Sequence, residues 1–165
     1  MHCQTEEVEP MVNGDIVFPK FTLYHVAFVT RSLEEGMDSL RRTYGNPEFF
    51  VQRQAPIQTP NGMAYVDFAL ADLNGFKVEV IEPTGGHDGI YREALPQEIG
   101  ATRFHHVASA IQSQQDWDQV CETIANHQLA TPIGGSAETE QGTFNYVYVD
   151  MRRQLGHYLE FVYIS

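Results

Sequence analysis

The chain has little that could cross-link it and little positive charge. Two cysteines occur in 165 residues, Cys3 and Cys121. They show no paired spacing, which excludes a disulfide framework and a zinc ribbon. Lysine and arginine number 10 against 22 acidic residues, a net charge of -12. Most of the surface therefore repels a polyanion, and no nucleic acid partner is expected. No apolar run approaches the roughly 20 residues that span a bilayer, so no membrane segment is expected either. The first residues, Met1 to Pro10, are acidic and lack the basic and then apolar order of a secretory leader. Residues 1–20 are read as an extension on a cytoplasmic protein. The rest of the composition, 42% hydrophobic and 19% charged, is ordinary for a globular chain long enough for two small modules sharing a core.

What the chain does have is an internal echo. Leu23 to Ala27 reads Leu-Tyr-His-Val-Ala, and Thr102 to Ala108 reads Thr-Arg-Phe-His-His-Val-Ala. Placing His25 on His106 sets an offset of 81 residues, and the same offset pairs Glu79 with Glu160, Gly75 with Gly156, Tyr65 with Tyr146 and Ser32 with Ser113. Each half thus carries one His and one Glu, 54 residues apart. Such self-similarity at one long period points to a duplicated module.

Local patterns agree. Residues 21–29 form an aromatic and β-branched run that reads as a strand. Ser32 with Glu35 makes a capping box, and Leu33, Met37, Leu40 and Tyr44 follow at helical spacing up to Gly45. Strands are expected near 49–54, 64–70 and 76–81, with turns at Pro60-Asn61-Gly62 and Asn74-Gly75. A loop with a short helical turn from Ile90 links the halves. The second half repeats the order: a strand at 104–110, a helix capped by Ser113 with Asp116, and strands near 129–133, 143–150 and 158–164. The second helix shows a stripe of Trp117, Val120, Cys121, Ile124 and Ala125, which makes Cys121 a small core residue. The reading is an α+β domain over 21–165, with tandem βαβββ modules at 21–83 and 102–165 and a linker at 84–101.

Strand side chains alternate between faces. If Val26 and Phe28, Val78 and Val80, and Leu159 and Phe161 pack on helices, then His25, Glu79, His106 and Glu160 all fall on open faces. The same parity directs Tyr65 and Asp67, and Tyr146, Tyr148 and Asp150, into that space. A carboxylate in the middle of an apolar strand is costly to bury unless it is paired or bound to metal. Two imidazoles and two carboxylates form an N2O2 donor set suited to a divalent ion that keeps open positions. Taken singly, each would more often be a hydrogen-bonded core histidine or an edge-strand glutamate; the shared offset weighs against that.

At these residues the chain resembles the vicinal oxygen chelate superfamily, which includes glyoxalase I, methylmalonyl-CoA epimerase, extradiol dioxygenases and the bleomycin resistance proteins. The motifs are Tyr24-His25-Val26-Ala27, Val78-Glu79-Val80-Ile81-Glu82-Pro83, His105-His106-Val107-Ala108 and Tyr158-Leu159-Glu160-Phe161. The resemblance runs from Phe21 to Ser165. It is greatest to the epimerase-like glyoxalase branch, with Tyr91-Arg92-Glu93 ahead of the second His strand and Leu155-Gly156-His157 ahead of the last strand.

The resemblance implies curved mixed sheets around a metal-binding cleft, with His25, Glu79, His106 and Glu160 as ligands of one divalent ion (Zn, Ni, Co, Mn, Mg or Fe). It implies chelation of vicinal oxygens on a small-molecule substrate and passage through an enediolate. Glu160 is the expected base, with Glu79 its counterpart on the other face. Tyr65, Asp67, Tyr146, Tyr148 and His157 are the candidate substrate-pocket residues, with packing as their competing role. His87 and His127 read as loop and helix-end residues. The implied function is a metal-dependent isomerase, epimerase or lyase acting on a small oxygenated carbon acid or thioester, in a homodimer whose sites each lie within one chain. The alternatives are a ring-cleaving dioxygenase, against which the fourth ligand argues, and a non-catalytic binding or resistance protein, against which the complete donor set argues.

Overall fold

Two capped helices and eight strands build the chain in a computed structural model that describes residues 15–140 and 142–165. Cys3 and most of the 1–20 extension lie outside the described residues. The first half comprises β1 (Thr22–Thr30), α1 (Leu33–Tyr44), β2 (Phe49–Thr59), β3 (Gly62–Asp72) and β4 (Lys77–Gly86). A short helix, α2 (Gly89–Arg92), lies in the linker. The second half comprises β5 (Thr102–Ala110), α3 (Gln114–Asn126), β6 (Ile133–Thr139), β7 (Gly142–Asp150), α4 (Arg152–Leu155) and β8 (Tyr158–Ile164).

The strands form one mixed sheet in the order β2-β3-β4-β1-β5-β8-β7-β6. β1 pairs in parallel with β4 and β5 with β8, and the two halves join along the antiparallel β1·β5 seam. The outermost strands, β2 and β6, approach each other, and the Gln58 amide of β2 donates to the Tyr146 hydroxyl of the neighbouring β7 at 3.2 Å. The sheet is therefore curved and nearly barrel-shaped.

The helices hold the outer face. In α1 the Ser32 hydroxyl accepts from the Glu35 amide at 3.4 Å, and Gly45 ends the helix at φ 81°, a left-handed value that glycine adopts without a Cβ penalty. Leu33, Met37 and Leu40 pack on Ala69, Val78 and Val80. In α3 the Ser113 hydroxyl accepts from the Asp116 amide at 3.1 Å, and Val120 packs with Ile111, Val149 and Phe161. Each face buries a run of aliphatic side chains worth roughly 1.5–3 kcal/mol apiece, and this fixes which side of each strand looks into the cleft.

Two expectations fail here. Cys121 and Ala125 are exposed, and Thr123 is buried in their place, its hydroxyl donating to Val17 O at 3.4 Å. The buried face runs Val120, Thr123 and Ile124; Cys121 stands about 100° round the helix from Val120 and turns to solvent. The strand expected near 129–133 begins only at Ile133. Gln128 turns the chain at φ 50° after α3, and Pro132 offers no amide to a ladder. No helix among the described residues is long and apolar enough to cross a membrane.

Candidate metal centre

The four central strands each bring one donor to the concave face. His25 Nε2 lies 3.3 Å from Glu79 Oε2 and 3.3 Å from Glu160 Oε2. His106 Nε2 lies 3.2 Å from Glu160 Oε2 and 3.6 Å from Glu79 Oε2, and the two imidazole Nε2 atoms are 3.2 Å apart. His25, His106 and Glu160 are buried and form the tightest group; Glu79 is the more accessible fourth donor. With ligand bonds of about 2.0–2.1 Å, neighbouring donors around a tetrahedral ion stand about 3.3–3.4 Å apart. The separations among His25, His106 and Glu160 match that spacing, while Glu79 Oε2 stands 3.3 Å and 3.6 Å from the two imidazoles and outside the group whose donor atoms all lie within 4.8 Å of one another.

The chemistry of the donors fits an ion as well as their spacing does. Although both imidazoles approach Glu160 Oε2, this oxygen is buried and has no aligned hydrogen-bond donor. An orphaned buried carboxylate oxygen is costly; a cation at the centre of the cluster removes the cost.

A chain of hydrogen bonds behind the cluster fixes how His106 presents itself. A carbonyl oxygen can only accept, so the His105 Nε2, 3.2 Å from Ile90 O, carries a proton. Burial, reinforced by the neighbouring His106, pushes His105 down to about 3, so the ring is neutral and its Nδ1 is a bare acceptor. That Nδ1 lies 2.9 Å from His106 Nδ1, which must therefore donate. With Nδ1 engaged in this bond, His106 Nε2 is the ring nitrogen that faces the cluster and, in the neutral ring, the one free to bind a metal. His105 reaches this position because β5 bulges there: Ala27 pairs with His106 and Phe28 with Phe104, skipping His105.

The two carboxylates set the charge of the cluster. Burial alone would lower His25, but the charges of Glu79 and Glu160 outweigh it and raise the imidazole to about 10. Burial likewise opposes ionisation of Glu160, yet His106 and His25 bring its carboxyl down to about 2. Without an ion the cluster thus retains a proton that an arriving cation must displace. The Tyr91 and Tyr148 hydroxyls, buried beside these carboxylates, are pushed well above their ordinary value and stay protonated. The Tyr148 hydroxyl lies 3.3 Å from His106 Nε2.

The cluster forms the floor of a cavity of about 440 Å³. One wall carries Phe50, Val66, Phe68 and Leu70 from β2 and β3; the other carries Phe144, Tyr146 and Tyr148 from β7. Tyr146 and Tyr148 stand where strand parity placed them. Tyr65 and Asp67 do not. Tyr65 lies on the exposed side of β3, and Asp67 is held on the helix side by Arg53 at 2.8 Å and the Gln54 amide at 2.7 Å.

The physical reason is a difference in length between the halves. Leu70 lies opposite Glu79, nine residues later, whereas Tyr148 lies opposite Glu160, twelve residues later. The β7–β8 connection, which contains α4, is three residues longer, so on the third strand of each module the offset becomes 78 and the parity flips. Phe68 and Leu70, not Tyr65 and Asp67, are the counterparts of Tyr146 and Tyr148.

His157 and Asp150 also stand outside the cleft. The His157 Nδ1 lies 2.8 Å from Tyr158 O and the ring packs on Phe104, while Asp150 pairs with Arg152 at 2.6 Å. Tyr24 joins the cleft against expectation, because β1 is irregular between Leu23 and His25. Its ring carries Lys77 Nζ at 4.7 Å from the centroid.

No known family's sequence profile and no curated protein sequence matches the chain. Solved structures do. Methylmalonyl-CoA epimerase from Mycobacterium tuberculosis aligns over 87% of both chains at 12% identity and a TM-score of 0.55. A variant of the Streptomyces coelicolor epimerase in complex with 2-nitronate-propionyl-CoA aligns over 87% of this chain and 96% of its own at 16% identity and 0.55. A mutant of 4-hydroxymandelate synthase from Streptomyces coelicolor aligns over 89% of this chain but 49% of its own, at 11% identity and 0.57. The chain spans about half of that last protein. The fold is that of the vicinal oxygen chelate proteins.

Proposed function

We propose that the chain is a metal-dependent enzyme that takes two adjacent oxygens of a small carbon acid onto its His25, Glu79, His106 and Glu160 centre and moves a proton at the neighbouring carbon, as an isomerase, epimerase or lyase. The observation that carries this reading is the buried Glu160 Oε2, which lacks a hydrogen-bond partner while standing 3.3 Å from His25 Nε2 and 3.2 Å from His106 Nε2. A bound divalent ion supplies Lewis acidity, which favours negative charge on the substrate oxygens as the carbon loses its proton.

The chain's own groups supply the rest. Glu79 and Glu160 reach the centre from opposite halves of the sheet, so one can withdraw a proton and the other can return it. Glu79 is the more accessible of the two, and Glu160 sits beside the protonated Tyr148 hydroxyl on β7. The apolar walls exclude water from the reacting carbon. Four protein donors argue against ring-cleaving dioxygenase chemistry, which uses two histidines and one carboxylate. All four come from one chain, which supports a site complete within each subunit of the expected homodimer.

The test is elemental analysis of the purified protein and of a His25→Ala, His106→Ala double variant, followed by solvent deuterium exchange into candidate hydroxy-carbonyls. About one divalent ion per chain in the parent and none in the variant supports the centre. A parent that neither contains nor takes up a divalent ion sinks it.

A further inference from the structure

The walls of the cleft are chemically one-sided. Phe50 and Phe68 pack at a centroid distance of 6.2 Å on one wall, and Phe144 and Tyr146 stack at 5.9 Å, with 29° between ring planes, on the other. The remaining wall residues are largely aliphatic, and apart from the donor cluster the one charged or amide group in the lining is Gln52. No lysine or arginine lines the cavity among the described residues. The first 14 residues contain neither lysine nor arginine, and residue 141 is a glutamine. Lys77 is seated on the Tyr24 ring.

This lining constrains the occupant. An anionic group beyond the chelating oxygens would lie among the apolar walls, with no lysine or arginine in the lining to receive it among the described residues, in a chain of net charge -12. Uncompensated charge in such a site is disfavoured. Flat apolar rings, in contrast, find partners on both walls, where aromatic contacts add about 0.5–1.5 kcal/mol beyond area burial. The cavity of about 440 Å³ is of a size that encloses a compact small molecule.

We infer that the centre takes a substrate whose two adjacent oxygens are carried on a flat, apolar, uncharged body of aromatic-ring size, and that it discriminates against carboxylated acids and coenzyme A thioesters. This rests on the metal-centre reading above and narrows its substrate.

Hydroxamates test it, because they present the same oxygen pair on different bodies. Acetohydroxamate, benzohydroxamate and the meta- and para-carboxylated benzohydroxamates are titrated calorimetrically into the zinc-loaded protein and into the chelator-stripped protein. Benzohydroxamate is expected to bind the loaded protein at least tenfold more tightly than acetohydroxamate, and either ring carboxylate to cancel at least half of that gain on a logarithmic scale. Phe68→Ala and Phe144→Ala are each expected to shrink the benzo-to-aceto ratio at least threefold. Propionyl-CoA is expected to bind more weakly than benzohydroxamate. Equal affinity for the aceto and benzo compounds, tighter binding of the carboxylated compounds, or tighter binding of propionyl-CoA overturns the inference and leaves the metal centre standing. Hydroxamate affinity that is the same with and without zinc overturns the centre, and the inference with it.

Discussion

Replacing His105 by phenylalanine isolates the hydrogen-bond chain behind the metal centre. The ring stays packed against Tyr91 and Tyr158, whose centroids are each 5.0 Å away, so shape is nearly conserved while the acceptor for His106 Nδ1–H disappears. His106 is fully buried, and an orphaned buried donor costs about 1–3 kcal/mol. The imidazole escapes that cost by moving its proton to Nε2, which faces Glu160 Oε2 at 3.2 Å. An ion must then reverse the change, so its affinity falls by the same amount, about 5-fold to 150-fold at 1.4 kcal/mol per tenfold. Competition titration of zinc against a chelator reads the loss. In the metal-free protein, ¹⁵N chemical shifts of His106 are expected to place the proton on Nδ1 in the parent and on Nε2 in His105→Phe. His105→Gln, whose amide oxygen can accept, is expected to recover part of the affinity. Parent-like zinc affinity and unchanged nitrogen shifts in His105→Phe would refute the reasoning.

Glu160→Gln is expected to reduce substrate deuterium exchange at least a hundredfold while weakening metal binding by less; unchanged exchange removes Glu160 as the base. In chelator-stripped protein, stability should peak near pH 6.5. His25, raised from 6.5 to about 10, contributes fully below 6.5 and loses its contribution as pH climbs through 10. His105, lowered from 6.5 to about 3, contributes fully above 6.5 and loses it as pH falls towards 3, and Glu160 adds to the acid-side loss as pH falls from 4.5 through about 2. Denaturant midpoints measured from pH 3 to 10 check this, and a decline above pH 6.5 that persists unchanged in His25→Ala contradicts the assignment. Gly86→Ala should destabilise the fold by roughly 1–3 kcal/mol. Its φ is 69°, and an added Cβ would meet Met63 O at 2.2 Å; a thermal midpoint within 1 °C of the parent would show that the β3–β4 pairing yields more easily than the geometry implies.

Much of the fold, and the convergence of His25, Glu79, His106 and Glu160, is legible in the sequence, and the reasons are local. Ser32, Gly45 and Ser113 are side chains whose hydrogen bonds or backbone freedom set helix ends, so their positions alone mark boundaries. His25, Glu79, His106 and Glu160 lie on strands where the 81-residue offset and the alternation of faces agree. The cleft walls were harder to read, because wall parity depends on the length of a connection that leaves no hydrophobic pattern. Three extra residues around α4 turn the offset into 78 and exchange Tyr65 and Asp67 for Phe68 and Leu70. β3 gives no warning, since it is covered on both sides: Val66 borders the cleft and Ala69 packs under α1. Tyr24 and His105 escape the alternation rule because each sits at an irregularity in the β1·β5 ladder, where neighbouring residues no longer face opposite ways.

The same three residues make the two ends of the cleft chemically different. Its donors, one imidazole and one carboxylate from each half, are related by a near two-fold rotation, and a chelating molecule turned end for end would meet an equivalent set. The walls break that equivalence: Leu70 stands opposite Glu79, whereas the Tyr148 hydroxyl stands opposite Glu160. One end of a bound molecule therefore meets a hydrogen-bonding group and the other meets hydrocarbon, so only one orientation satisfies both. A hypothetical chain built from two copies of the first half would keep every donor and lose this distinction, meeting a molecule alike in its two end-for-end orientations. The difference between the two ends of the cleft comes from the unequal length of the β3–β4 and β7–β8 connections, neither of which supplies a residue to the donor cluster.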